Sequence, residues 1–360
     1  MGMDARALVG GPRGRRVLLE IARGPLGTEP HPLATAVFWA AYRRAREAGE
    51  AVSLVTVTDG DGEGSHERPA PSGAEIAALL AEQPSAPPTA EDLDDALEAA
   101  VDSARYWQGP DGEDRVASDP ELAPALLRTA HLVAGSPHTD WWATGLDRAS
   151  QCEVLFEGMT TSPRIDSRAV LRKWTDAAAA EEAFWRRSTE QGVAMSGTWW
   201  STPPHGLRRT TRASTPSGIP VGLRLIEDRM GWTRADVRRI GVAPSARVVE
   251  IDGPDAWADL VRRYPLDVTA SRRADWARAT DRHGRWLIPD WARVAADAVH
   301  VSVAGYLATA GRALDLGDGW GALLAGWGPD ETVWLNDGVL SPEPGTRPWS
   351  VDGEGRRRCP

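Results

Sequence analysis

The sequence predicts an α+β protein: a mostly helical N-terminal region with a few strands (residues 1–150), a Trp-rich α+β domain (residues 151–341) and a tail (residues 342–360). Three observations predict this class. Before residue 150, apolar side chains recur mainly at helical spacing. After it, short apolar segments alternate with turns, as in a mixed or antiparallel sheet. Eleven of the 17 tryptophans lie between residues 199 and 349.

In the N-terminal region we expect helices joined by polar turns. The predicted helices are residues 32–48, residues 72–82, a segment capped by Thr89, and residues 120–133. Short apolar runs predict strands at residues 15–22 and 51–57. Residues 58–73 begin like a calcium-binding loop but lack its twelve-residue spacing and closing glutamate, so we expect a solvated loop.

The second half is predicted to contain short strands with helices between them. The predicted strands are residues 152–158, 197–202, 221–227, 246–251, 299–303 and 331–335. Helices are expected at residues 167–187 and 233–240, and at a segment with Pro254 near its first position. His300 should lie on the face of its strand opposite Val299 and Val301. The tail from residue 342 is expected to be frayed.

Composition limits the classes of function. The net charge is −10, with 41 basic and 51 acidic residues, and Lys173 is the only lysine. This acidic balance disfavours nucleic acid as a partner. Two cysteines, Cys152 and Cys359, do not make a disulfide framework, which favours a reducing compartment. The sequence has neither the ~20 apolar residues of a membrane span nor the apolar core of a signal peptide. We therefore expect a cytoplasmic protein without a membrane partner.

Many strong catalytic motifs are absent from the sequence. There is no H-E-x-x-H or C-x-x-C pattern, so we expect no metal site. There is also no G-x-S-x-G, phosphate-binding loop or dinucleotide-binding glycine motif. Two candidate acid–base pairs remain, Tyr264 with Asp267 and Asp290 with His300. The histidines are otherwise expected to be structural or exposed.

The adjacent tryptophans Trp199 and Trp200 suggest two roles. Tryptophan is highly buried on average, so a core of tryptophans is one explanation. An aromatic wall for a planar ring such as nicotinamide is the other. In a strand, neighbouring side chains point to opposite faces, so one tryptophan should face the core and the other a cleft. Trp199 would share its face with Ser201, and Trp200 would share its face with Thr198 and Thr202.

Three segments occur in an informative order. V-L-F-E-G-M (residues 154–159) ends in a glycine, G-T-W-W-S-T-P (197–203) carries Ser201 and Thr202, and P-D-E-T-V-W-L (329–335) carries Glu331. This order resembles the ADP-ribosyltransferase-like superfamily of toxins and effectors over residues 150–340. Its members have a first strand ending in Arg-Gly, an aromatic-Ser-Thr strand and a late catalytic glutamate.

The resemblance implies roles for individual residues. Trp199, Ser201 and Thr202 would form the NAD-binding face, and Glu331 would be catalytic by stabilising the ribosyl oxocarbenium ion. Because the resemblance aims Ser201 at the cofactor, it implies that Trp199 lines the cleft and that Trp200 lies in the core. The chain departs from the family pattern at Glu157, which occupies the position of the first-strand arginine. It departs again at Pro329, where a second acid would stand. The candidate replacements for the lost anion contact are Arg208, Arg209 and Arg212.

The resemblance therefore predicts an ADP-ribosyltransferase-like protein or an NAD glycohydrolase, active or catalytically degraded, with NAD as its dinucleotide substrate. The alternative is a non-catalytic protein that binds a protein partner through an aromatic groove. Acidic surfaces and aromatic anchors suit protein interfaces, where Trp and Arg dominate the binding energy.

Overall fold

The computed structural model describes residues 3–24, 31–50, 70–83, 86–159, 164–229, 231–352 and 357–359. The predicted α+β class is confirmed. The predicted strand at 51–57 and most of the turn-rich segment 58–73 lie outside the described residues. Among the described residues, no helix is both long and apolar enough to span a membrane.

The described part of the N-terminal region is built from helices. They are α1 (Ala5–Gly10), α2 (Pro12–Arg23), α3 (Pro32–Glu47), α4 (Gly73–Glu82), α5 (Ala90–Asp102), α6 (Gly112–Ala117) and α7 (Ala123–Ala134), with 3-10 helices at Pro120–Leu122 and Pro137–Ala143. The predicted cap at Thr89 is confirmed: its side chain accepts a hydrogen bond from the Asp92 N–H, at 3.2 Å. The helices predicted at 32–48, 72–82 and 120–133 are also confirmed.

The second half contains helices and two sheets. The helices are α8 (Ser167–Glu190), α9 (Val221–Arg224), α10 (Pro254–Arg263), α11 (Thr269–Thr280) and α12 (Val303–Thr309), with a 3-10 helix at Asp337–Val339. The strands are β1 (Gln151–Phe156), β2 (Arg208–Arg212), β3 (Arg234–Val242), β4 (Val248–Ile251), β5 (Pro265–Asp267), β6 (Arg285–Pro289), β7 (Ala298–Val301), β8 (Leu314–Gly317), β9 (Trp320–Ala322), β10 (Glu331–Trp334), β11 (Leu340–Pro342), β12 (Arg347–Val351) and β13 (Arg357–Arg358).

The larger sheet has the strand order β13-β12-β3-β1-β2-β10-β7-β4, and β11 also pairs with β3. Its pairs are antiparallel except β4 with β7. The smaller sheet has the order β5-β6-β9-β8. In the larger sheet β2 lies between β1 and β10. β1 overlaps the first segment of the family pattern, and β10 lies in the third. β2, which follows the second segment in the chain, separates them in the sheet.

Several predicted elements are wrong. Residues 15–22 form part of α2, because Pro12 begins a helix and the apolar run Val17–Leu18–Leu19 is buried on all sides. A short apolar run does not distinguish a buried strand from a buried helix. Residues 221–227 form the short helix α9 and a turn, with Pro220 directly before the helix.

Residues 233–240, predicted as a helix from an apparent Thr cap, form β3 instead. Ala235 and Val237 are buried whereas Arg234 and Asp236 are exposed, which is the two-residue period of a half-buried strand. The expectation of a frayed tail is also wrong for the described residues after 342. Strands β11 and β12 both pair with β3, and β13 extends the sheet beyond β12.

One buried apolar cluster runs through both regions of the chain. It includes Leu8 and Val17 from the N-terminal helices and Tyr306 and Leu307 from α12. The turn between α1 and α2 approaches α12 so closely that a Cβ on Gly11 would lie 2.0 Å from the Leu307 carbonyl oxygen. The division at residue 150 stays a prediction, but described strands do begin at residue 151.

Candidate functional site

A cavity of about 780 Å³ lies beside β1 and β2. Its walls come from these strands, from the turn after α9 and from residues 326–331 before β10. Trp199 and Trp327 line it together with Arg209, Glu227 and Glu331. This volume is within the usual range for small-molecule sites, which combine apolar and aromatic walls with a few polar groups.

Glu331 and Arg209 form the polar centre of this cavity. The Arg209 Nη1 donates to both carboxylate oxygens of Glu331, at 2.9 and 3.1 Å. The Arg209 Nη2 donates to the Thr202 hydroxyl at 3.2 Å. Both charged side chains keep partial exposure, 27% for Arg209 and 14% for Glu331. Two residues that the family pattern singles out, Thr202 and Glu331, are thus connected through one guanidinium group.

The residue before Glu331 determines where that carboxylate points. Asp330 is buried and has a left-handed backbone, with φ of 58°. Its carboxylate accepts a hydrogen bond from the Arg212 N–H at 2.7 Å, and its Oδ1 lies 3.6 Å from both the Arg212 Nη2 and the His300 Nε2. A strained conformation persists only where its surroundings hold it. Arg212 and His300 therefore position the start of β10.

His300 is fully buried on β7 and pairs with acids different from the predicted Asp290. Its Nδ1 lies 2.6 Å from a Glu250 carboxylate oxygen. Burial lowers the pKa of His300, but the neighbouring carboxylates of Asp330 and Glu250 outweigh it and raise the pKa to about 9. His300 is consequently a charged structural group at neutral pH. Tyr264, the other predicted acid–base candidate, accepts a hydrogen bond at its hydroxyl from the Ala295 N–H.

Residues 197–202 do not form the predicted strand. Proline at 203 and 204 removes two ladder N–H groups, and contacts with helices and with residue 325 hold the segment instead. The Trp276 Nε1 donates to the Trp199 carbonyl at 2.5 Å. Ser201 is fully buried and exchanges backbone and hydroxyl hydrogen bonds with Ala325, at 3.0 to 3.2 Å. Ser201 therefore fixes this loop, and neither it nor Thr202 is among the described residues that line the cavity.

Trp199 lines the cavity, as predicted, and packs against the core. Strand alternation does not explain this position, because residues 197–202 do not form a strand. Trp200 is only half-buried, so its predicted place in the core is wrong. Its ring packs edge-on against Trp199 and His205, with centroid distances of 5.6 and 5.4 Å. The tandem pair thus places one ring in the cavity and supports it with the other.

Arg208 and Arg212, predicted to bind the cofactor, have other partners. The Arg208 side chain lines the cavity but is fully buried, and it pairs with Glu153 at 2.6 Å and Asp337 at 2.7 Å. Arg212 pairs with Asp147 at 2.9 Å. Among the described residues that line the cavity, two cations have access to solvent. Arg209 is partly exposed, and Arg164 is exposed at the rim.

Glu227 is a second carboxyl group in the cavity wall. Its Oε1 accepts a hydrogen bond from the Tyr306 hydroxyl at 2.8 Å. Its Oε2 is buried without a hydrogen-bond partner in the described chain. Burial raises the pKa of Glu227 to about 8, and the charge of Glu331 contributes to this rise, whereas Tyr306 and Arg13 lower the pKa. At neutral pH this carboxyl is mainly protonated while Glu331 is paired with Arg209.

The N-terminal helices hold the wall segment that carries Glu227. Arg224 pairs with Glu98 of α5 at 3.0 Å, and Asp228 pairs with Arg105 at 2.8 Å. These contacts flank Glu227 on both sides in sequence. The N-terminal region therefore contributes to the shape of the cavity, even though its described residues do not line it.

Sequence reasoning missed Glu227 and Arg164 as cavity residues and named Arg209 only as one of three candidate phosphate contacts. Glu227 stands at the end of an apolar run that gave no sign of a buried acid. Glu157, the departure from the family pattern, lies outside the set of described residues that line the cavity, and its carboxylate accepts a hydrogen bond from Thr233.

Among the described residues, no group of three or more His, Cys, Asp or Glu side chains is arranged to hold a metal ion. The chain matches no protein-family model, no curated protein and no solved structure.

Proposed function

We propose that this cavity binds NAD and cleaves the bond between nicotinamide and ribose, passing the ADP-ribosyl group to water or to another acceptor. The main support is that Glu331 and Arg209 meet in one aromatic-walled cavity, and that Arg209 also binds the Thr202 hydroxyl outside the lining. Thr202 and Glu331 come from the last two segments of the resemblance, Arg209 comes from β2, and β1, which overlaps the first segment, forms another wall. This assignment stays a proposal because it depends on a resemblance and on geometry.

The reaction needs little from the protein beyond binding and electrostatics. The C1′–N1 bond breaks, and its electron pair leaves with nicotinamide, which becomes neutral. Positive charge then develops on the ribosyl ring as an oxocarbenium ion, which the Glu331 carboxylate would stabilise. Water or the acceptor forms the new bond to C1′ and releases a proton. Trp199 would bind the planar ring before it leaves, whereas Trp327 is fully buried.

Arg209 would have two roles in this scheme. Without ligand it neutralises Glu331 through two hydrogen bonds. When a pyrophosphate enters the cavity, the guanidinium would turn to it, since planar guanidinium groups suit phosphate oxygens. Glu331 would then face the ribose with its charge uncompensated. Arg164 at the rim would supply the second positive charge.

The test is release of nicotinamide from NAD, measured by chromatography, with wild type, Glu331→Gln and the matched control Glu157→Gln. We expect release from wild type, a loss of at least about 100-fold in Glu331→Gln, as for removal of a single charge-stabilising group, and no change in Glu157→Gln. The two variants lose the same charge, but only Glu331 lines the cavity. No release from wild type would remove the enzymatic proposal, and equal release from both variants would remove the role of Glu331.

A second candidate function is NAD binding without turnover. The observation that favours it is the bidentate pairing of Glu331 with Arg209, which occupies the carboxylate. Calorimetric titration of NAD separates the two: binding with no nicotinamide release identifies a catalytically degraded relative. Absence of both binding and release would favour the protein-binding alternative.

A further inference from the structure

A second cavity, of about 330 Å³, lies where the N-terminal helices meet the rest of the chain. It is bounded by α2, by the segment after α5, and by the residues that follow α11 and α12. Four arginines line it: Arg13, Arg15, Arg105 and Arg312. It shares no lining residue with the proposed NAD site.

Arg15 is a half-buried cation that forms no ion pair with a described carboxylate. Its guanidinium donates to the Val9 carbonyl at 3.1 Å, the Gly10 carbonyl at 3.4 Å and the Ser118 hydroxyl at 3.4 Å. Its Nε is buried without a hydrogen-bond partner among the described residues. Buried charges are normally paired, so such a group calls for an anion.

Arg312 adds a second positive charge at the same point. The Arg312 Nη1 lies 3.7 Å from the position that a Cβ on Gly10 would take. The carbonyl of the same Gly10 accepts a hydrogen bond from Arg15. Arg312 is exposed and likewise forms no ion pair with a described carboxylate. Burial lowers the pKa of Arg15, and the neighbouring charges of Arg13 and Arg312 lower it further against the opposing effect of Asp114. The two guanidinium groups therefore repel each other.

The other charges around the cavity are compensated. Arg13 pairs with Asp114, and Arg105 pairs with Asp228. Asp111 is bound by Arg16 at 3.0 Å. Arg15 and Arg312 remain, against a single acid at the rim, the exposed Asp281. The residues that line the cavity are four arginines against three aspartates, Asp111, Asp114 and Asp281, in a chain whose net charge is −10.

We propose that this cavity is an anion site, in which Arg15 and Arg312 bind a phosphoryl group between the N-terminal helices and the rest of the chain. Guanidinium groups bind the oxygens of a phosphoryl group in a planar, forked geometry. Such a ligand would neutralise Arg15, end the repulsion from Arg312, and connect elements from both regions. The cavity is larger than one phosphate, so it also accepts a small phosphorylated molecule.

The experiment compares wild type, Arg312→Glu, Arg312→Ala and the matched control Arg293→Glu. Arg293 is also an exposed arginine without an ion pair among the described residues. Inorganic phosphate and ribose 5-phosphate are titrated separately by calorimetry at constant ionic strength, and the unfolding temperature Tm is recorded with and without each. The sodium chloride that keeps the ionic strength constant serves as the blank.

We expect saturable binding to wild type and to Arg293→Glu, and a rise in Tm on binding. In Arg312→Ala the affinity should fall at least tenfold. In Arg312→Glu binding should disappear, and Tm without ligand should exceed that of wild type because the new carboxylate pairs with Arg15. Tighter binding of ribose 5-phosphate would identify a phosphorylated metabolite, and equal or weaker binding would identify free phosphate.

Two results would overturn the proposal. One is the absence of saturable binding of either probe to wild type at 10 mM or less, on the order of the weakest specific affinities. The other is binding that persists unchanged in Arg312→Glu, which would place the anion elsewhere, for example at Arg209. Because these probes contain no nicotinamide, failure here leaves the NAD proposal standing, and failure to release nicotinamide leaves this one standing.

Discussion

Glu227→Gln should change the pH dependence of stability, because Gln cannot ionise. The ordinary pKa of this carboxyl is 4.5, and burial raises it to about 8 in the folded chain. Each tenfold difference in proton affinity is worth about 1.4 kcal/mol. The folded state therefore loses about 5 kcal/mol from this group as the pH rises from 4.5 to 8. Below pH 4.5 this carboxyl does not lower the free energy of unfolding, and above pH 8 the amount by which it lowers the free energy of unfolding is constant.

Urea unfolding of wild type and Glu227→Gln at pH 6, 7, 8 and 9 measures this effect. Between pH 6 and 8 the free energy of unfolding of the variant should gain about 2 kcal/mol relative to wild type, and level off above pH 8. The neutral amide keeps an oxygen for the hydrogen bond from Tyr306, so the fold should tolerate it. The matched control is Glu343→Gln, which removes an exposed carboxylate. A difference between Glu227→Gln and wild type that does not change from pH 6 to 9 would refute a protonated Glu227.

Three further predictions concern the cavity and its support. Trp199→Ala should weaken NAD binding by at least tenfold in calorimetry, since stacking of a planar ring is worth about 1–3 kcal/mol. Trp200→Ala should stay within about twofold of the wild-type affinity. A larger loss of affinity in Trp200→Ala than in Trp199→Ala would contradict this assignment. His300→Gln should destabilise the fold by about 3 kcal/mol more at pH 6 than at pH 10 in chemical denaturation. The pKa of His300 is raised from 6.5 to about 9, so protonated His300 stabilises the fold fully below pH 6.5, and this stabilisation is lost as the pH rises through 9. Equal destabilisation at both pH values would argue against a charged His300. Gly11→Ala should lower the free energy of unfolding by about 1–3 kcal/mol or more, because its Cβ would meet the Leu307 carbonyl at 2.0 Å. The neighbouring Gly10→Ala should be tolerated, because there is room for its Cβ. Similar melting temperatures for both variants would show that α12 shifts to make space.

The amino-acid sequence determined those elements whose signal is local. Helices α3, α8 and α10 follow from apolar spacing with polar caps or an early proline, which depend on residues within a few positions of each other. Strands β1, β4, β7 and β10 follow from β-branched and aromatic runs between turns. The placement of His300 on the strand face opposite Val299 and Val301 is equally local, although both faces of β7 are buried.

Local signals failed where one run fits two structures. The run at 15–22 suits either a buried strand or a buried helix, and packing of α2 against α5 and α12 decides for the helix. The alternation of β3 was present in the sequence, but a Thr at its start suggested a helix cap. Residues 197–202 have the side chains of a strand, yet the bonds of Ser201 to Ala325 hold them in a loop.

Only the tertiary structure decided the chemistry of the cavity. Glu331 meets Arg209 across 122 positions of sequence, and Glu227 meets Tyr306 across 79. No spacing rule relates residues so far apart, since the pairing of β2 with β10 and the position of α12 bring them together. The same holds for the charge states. The neutral Glu227 and the charged His300 result from burial and partners, and these properties exist only once the chain has folded.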